Sequence, residues 1–201
     1  ALTQLQPGRD TSFTLVDHTD CVNSWMWYLT RSTGIVAAVL AVAALVWGLF
    51  FSARNTGTRL KPNWWLALHN YLGGLTLVFI GIHMLVSFLD TEAGLAFVDL
   101  LVPNSKVGWG IGWGVIAFWL FVIVVLPSIA RIRRRLPRKA WHAVHLVAIP
   151  AVVLSGVHAY QSGSDSMSVY FTRGLALLIG LAVYPITIRL LGIAQRRRAA
   201  L

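Results

Sequence analysis

Residues 69–83, HNYLGGLTLVFIGIH, and residues 145–158, HLVAIPAVVLSGVH, decide how this chain is read. Each is an apolar stretch closed at both ends by histidine, with glycine inside. An ionisable residue inside a membrane-spanning helix is costly, so four of them at comparable depths point to function rather than packing. His69 and His83 are 14 residues apart, a rise of about 21 Å on an α-helix; His145 and His158 are 13 apart, or about 19.5 Å. Each helix thus offers one imidazole near each end.

If both helices run in the same direction, His69 lies level with His145, and His83 with His158. Four imidazoles with no intramembrane carboxylate or thiolate suit haem iron, which takes neutral histidines in both axial positions. Zinc needs four ligands converging on one point, which a separation near 20 Å forbids. At about 100° per residue, His69 and His83 share a face, whereas His145 and His158 fall about 140° from doing so. Pro150 lies between the latter two and removes the hydrogen bond to the Leu146 carbonyl, so a kink is expected to re-aim one end.

The surrounding sequence has the same character. Of 201 residues, 57% are hydrophobic and 12% charged, and the apolar ones come in long runs. Five runs reach the roughly 20 residues that cross a bilayer core: about 32–52, 66–89, 109–129, 141–160 and 170–192. The expected fold is an all-α integral membrane protein, a five-helix transmembrane bundle. Its expected parts are an exported N-terminal segment, 1–24, a haem-binding transmembrane domain, 25–195, and a basic cytoplasmic tail, 196–201.

A net charge of +10 invites a nucleic-acid reading, but the placement of the charges excludes it. Arg54, Arg59 and Lys61 follow the first span; Arg131, Arg133, Arg134, Arg135, Arg138 and Lys139 follow the third; Arg189 and Arg196 to Arg198 end the fifth. These 13 of 17 basic residues fall on one side of alternating spans, and all seven acids fall on the other. The positive-inside rule then puts the N-terminus outside and the C-terminus in the cytoplasm.

Aromatic residues Trp25, Trp27 and Tyr28 open the first span, and Trp64 and Trp65 open the second, as interfacial belts do. Residues 95–102 form an apolar run too short to cross and read as a short helix lying in the outer interface. Gly108, Gly110, Gly112 and Gly114 allow close approach of a helix backbone or a flat cofactor. Cys21 is the only cysteine, so no intramolecular disulfide forms. Haem propionates are anions that need cations near the membrane surface: Arg31 is the candidate at the outer haem, Arg131 and Arg133 at the inner one. His142 suits a surface or propionate contact, and His18 a solvated position.

His69-x13-His83 and His145-x12-His158 together resemble the ferric reductase-like transmembrane domain, shared by ferric reductases, NADPH oxidases and the haem-bearing membrane subunit of the bacterial methionine sulfoxide reductase system. Residues 27–34, WYLTRSTG, and 141–145, WHAVH, are similar to its bacterial members, and the resemblance covers roughly 25–195. It implies two b-type haems passing electrons singly across a bacterial cytoplasmic membrane. It also implies a core of six helices, against the five read here. The basic tail that closes the sequence leaves no flavin domain in this stretch, so the expected donor is a separate cytoplasmic flavoprotein or membrane quinol. The expected acceptor is ferric iron or a partner reductase outside. A quinol-oxidising respiratory cytochrome b subunit, or a structural subunit of a larger membrane complex, are the rival readings.

The charge distribution makes the orientation testable. A reporter fused after Leu201 should be active only in the cytoplasm; periplasmic activity would invert the topology.

Overall fold

The computed structural model describes residues 12–52, 62–163 and 166–198, and is helical with no strand among them. Helix α1 runs Ser12–Ser52, α2 Pro62–Leu89, α3 Trp109–Val125, α4 Ala130–Arg133, α5 Arg138–His145, α6 Ala148–Ser162 and α7 Val169–Arg198. Five stretches are long and apolar enough to cross a membrane: Trp25–Phe50, Asn63–Leu89, Trp109–Ser128, Arg138–Ser162 and Val169–Gln195. They correspond to the five spans expected, with α5 and α6 together forming the fourth. Arg54, Arg59, Lys61 and Asp165 lie outside the described residues.

The first span begins earlier than its hydropathy suggests, because α1 is already helical from Ser12. No glycine or proline occurs between Ser12 and Thr33 to stop it, so the helix continues through the polar residues. The apolar run after α2 forms only a 3-10 turn, Phe97–Leu100, in which Leu100 is buried and Phe97 and Val98 are exposed. Trp119 of α3 fastens this segment by donating its indole N–H to the Leu101 carbonyl at 2.8 Å. Gly108, at φ 90°, provides the left-handed turn into α3 that a side chain would strain.

Two helix pairs carry the architecture. α1 packs along α2, and α3 along α6, while α7 and α6 pack more lightly on α1. Ala41 of α1, Phe121 of α3 and the fully buried Ala151 of α6 meet at the centre, with Leu77 and Ile80 of α2 and Val152 of α6 packed against them. These α2 and α6 residues lie between the two histidines of their own spans, so the layer separating the two histidine levels is apolar. Large side chains such as Ile35, Val78, Leu85, Val153 and Leu177 face outward. Lipid solvates such a surface; water would not.

The fourth span resolves the facing problem of His145 and His158. Its helix is interrupted at Leu146 and Val147, between α5 and α6. There the ladder tightens: Val147 N–H donates to Val144 at 3.1 Å and Ile149 N–H to Leu146 at 3.1 Å, both three residues back. Pro150 supplies no N–H for the Leu146 carbonyl, so Ile149 takes it instead. Tightened turns advance about 120° per residue rather than about 100°, and the break adds a bend. Both effects bring the two histidines toward one face.

Candidate functional site

The histidines meet in two pairs. His69 and His145 stand with ring centroids 5.8 Å apart, and His83 and His158 with centroids 6.2 Å apart. The ring planes cross at 69° and 72° respectively. The pairing fixes α2 and the α5–α6 span as parallel, since first meets first and second meets second.

In three of the four, backbone geometry dictates which ring nitrogen carries the proton. His69 Nδ1 lies 3.1 Å from the Ala44 carbonyl, His83 Nδ1 2.8 Å from Thr30, and His158 Nδ1 2.8 Å from Gly110. A carbonyl oxygen only accepts, so each Nδ1–H donates and each Nε2 keeps its lone pair. His145 differs. Its Nδ1 lies 3.4 Å from Ser128 Oγ, whose own hydroxyl donates to Val124 at 2.8 Å, leaving the oxygen to accept.

Each accepting carbonyl is followed four residues later by glycine: Ala44 by Gly48, Thr30 by Gly34, Gly110 by Gly114. A helical carbonyl already receives the N–H of residue i+4, so an imidazole sharing that oxygen lies over the side chain of that residue. A Cβ would stand 3.0 Å from His69 at Gly48, 3.1 Å from His83 at Gly34 and 2.7 Å from His158 at Gly114. Gly34 figures in the sequence motifs only as the end of residues 27–34 and Gly48 not at all, yet their spacing of 14 residues repeats that of His69 and His83 on the facing helix. On α2, by contrast, a Cβ at Gly73, Gly74 or Gly81 would meet nothing within 4 Å.

A metal bound by Nε2 on either side at about 2 Å would hold the two ring centroids about 6 Å apart, close to both observed separations. Among the described residues no group of three or more His, Cys, Asp or Glu converges on one point. Two opposed imidazoles therefore suit a metal that brings its own in-plane ligands, as haem iron does. Residues and group fit.

The arginines separate. Arg31 follows Thr30 directly, and its guanidinium lies 4.3 Å over the Trp27 ring. Arg133 lies 4.2 Å over the Trp141 ring, which in turn stacks on His145 at 4.8 Å and 17°. Arg131 is exposed on α4, and His142 is exposed on α5. Trp141, Trp65 and Ser128 are neighbours of the site that spacing alone did not single out.

Five apolar spans enclosing depth-matched histidine pairs define a polytopic helical membrane protein. Residues 20–156 match the model of the family described as ferric reductase like transmembrane component, and the chain belongs to that family. The match takes in His69, His83 and His145 and ends two residues before His158. No curated protein and no solved structure matches the chain.

The glycine clearance predicts a site-specific effect. Gly114→Ala puts a Cβ against His158 and should cost about 1–3 kcal/mol at that pair. Cofactor retained per chain should fall, while Gly192→Ala, which meets nothing within 4 Å on α7, should leave it unchanged. Equal behaviour of the two variants, read by absorbance per purified protein, would mean that Gly114 is not a clearance position.

Proposed function

We propose that this chain carries electrons one at a time across the membrane through two b-type haems, one held by His69 and His145 and the other by His83 and His158. The observation that supports this most is the double opposition of imidazoles near 6 Å, with three of the four donating the N–H of their Nδ1 to a backbone carbonyl. When bound, haem supplies the one-electron couple of its iron.

The chain's own residues ligate, orient and exclude water. The Ala44, Thr30 and Gly110 carbonyls lock ring orientation and raise the basicity of their histidines. Ala41, Phe121, Ala151 and their neighbours keep the intervening layer dry. Arg31, with Arg133 and Arg131 at the other end, supplies positive charge for haem carboxylates.

In this reading the domain spans 25–195, the 1–24 segment is exported and the 196–201 tail is cytoplasmic, in a bacterial cytoplasmic membrane. His69 and His145 form the inner site. Electrons arrive from a separate cytoplasmic flavoprotein or from quinol, and leave for an acceptor or partner reductase outside. None of the five spans carries an Asp or Glu, so no acidic group within them serves a quinol-oxidising pocket.

Histidine variants test the pairing. His69→Ala and His145→Ala should each lose about half the bound haem and leave the same residual spectrum, since members of one unit are non-additive. His83→Ala and His158→Ala should leave the other spectrum. Residual spectra that group by helix, His69 with His83, would contradict the assignment.

A further inference from the structure

Three buried side-chain polar atoms among the described residues have no hydrogen-bond partner: Thr30 Oγ1, Trp65 Nε1 and Trp141 Nε1. All three stand beside the histidine pairs. Thr30 is the residue whose carbonyl receives His83. Trp65 lies four residues before His69, and Trp141 four before His145. Residues at i and i+4 stack on one helix face, and α2 and α5 run in parallel, so each tryptophan stands one turn from its histidine toward the same end of the molecule.

Both indoles are held in place. Trp65, 9% exposed, stacks on Trp47 at 4.2 Å and 29°. Trp47 satisfies its own N–H on the Trp65 carbonyl at 3.2 Å, so of these two stacked rings only Trp65 is left a donor. Trp141 is layered between the His145 imidazole and the Arg133 guanidinium. An indole N–H can only donate, and one buried without an acceptor forfeits its full solvation. Two such losses around one imidazole pair point to an acceptor that arrives with the bound group. The described acids Asp90, Glu92 and Asp99 belong to the segment after α2, at the opposite end from Trp65.

Resting on the haem reading above, we infer that Trp65 and Trp141 donate their indole N–H groups to the carboxylates of the haem held by His69 and His145. The donors that would hold those carboxylates lie toward the start of α2 and α5, with Arg133 adding charge. Thr30, followed by Arg31, serves the haem at His83 and His158 from the other end of the bundle. These donors all stand away from the shared apolar layer of Ala41, Phe121 and Ala151, so that layer would face only the apolar parts of the bound groups.

Trp65→Phe and Trp141→Phe keep an aromatic ring and remove only the donor. The full chain, stripped of haem and reloaded with haem b, should release one of its two haems about tenfold to a hundredfold faster to an excess of apomyoglobin in either variant. The axial-ligand spectrum should stay that of two imidazoles, and Thr30→Val should quicken release of the other haem instead. Loading with haem dimethyl ester, whose carboxylates are blocked, supplies the second arm. Release should be fast from the unaltered chain and no faster from the Phe variants, because donor and carboxylate form one unit. Phe variants that quicken release of haem and its ester by the same factor would overturn the assignment, as would unchanged release of both haems. An unaltered chain that takes up no haem would overturn the underlying reading as well.

Discussion

Three imidazole N–H groups donate to carbonyls that already belong to helices, and everything else in the bundle is arranged around that contact. A ring from a neighbouring helix reaches these carbonyls where the side chain one turn on is absent. Gly34, Gly48 and Gly114 provide that absence. The contact also dictates the pairing of helices: α1 must lie close along α2, and α3 close along α6, which is where the tightest packing occurs. α2 has no comparable backbone packing with α5 or α6, and its imidazoles meet those of His145 and His158 across the space between them. One helix of each pair is thus a ligand carrier and the other its orienting support.

A membrane makes this arrangement both necessary and affordable. Unpaired polar groups in hydrocarbon cost several kcal/mol each, so every hydroxyl and ring nitrogen needs a partner. Thr76, Ser87 and Ser155 return their hydroxyls to the carbonyl four residues back at 2.7–2.8 Å. The histidines reach across to the next helix. The atoms left over among the described residues, the Trp65 and Trp141 indoles at one histidine level and Thr30 Oγ1 at the other, are those assigned above to cofactor carboxylates.

Much of this could be read from the residues. The five spans and the two histidine levels follow from long apolar runs and from spacings of 14 and 13, because rise per residue is nearly invariant in a helix. Rotation was less legible. The 13-residue spacing predicted a mismatch that the break at Leu146 and Val147 removes, and Pro150 marked only its neighbourhood. The early start of α1 was hidden because hydropathy locates the lipid-facing part of a helix, not its end. Gly34 and Gly48 carried a readable signal in their shared spacing with the histidines. Ser128 did not, since its role arises from the turn between α3 and α5, whose path no periodicity sets; Trp141 was legible only as the residue four before His145.

Electron paramagnetic resonance of the oxidised, purified chain tests the central claim most directly, because the signal of low-spin ferric haem responds to the angle between its two axial imidazoles. With ring planes crossed at 69° and 72°, both haems should give the strongly anisotropic, large-g low-spin signal of near-perpendicular imidazoles. A high-spin signal, the rhombic low-spin signal of parallel imidazoles, or no haem signal at all would contradict the two-pair site.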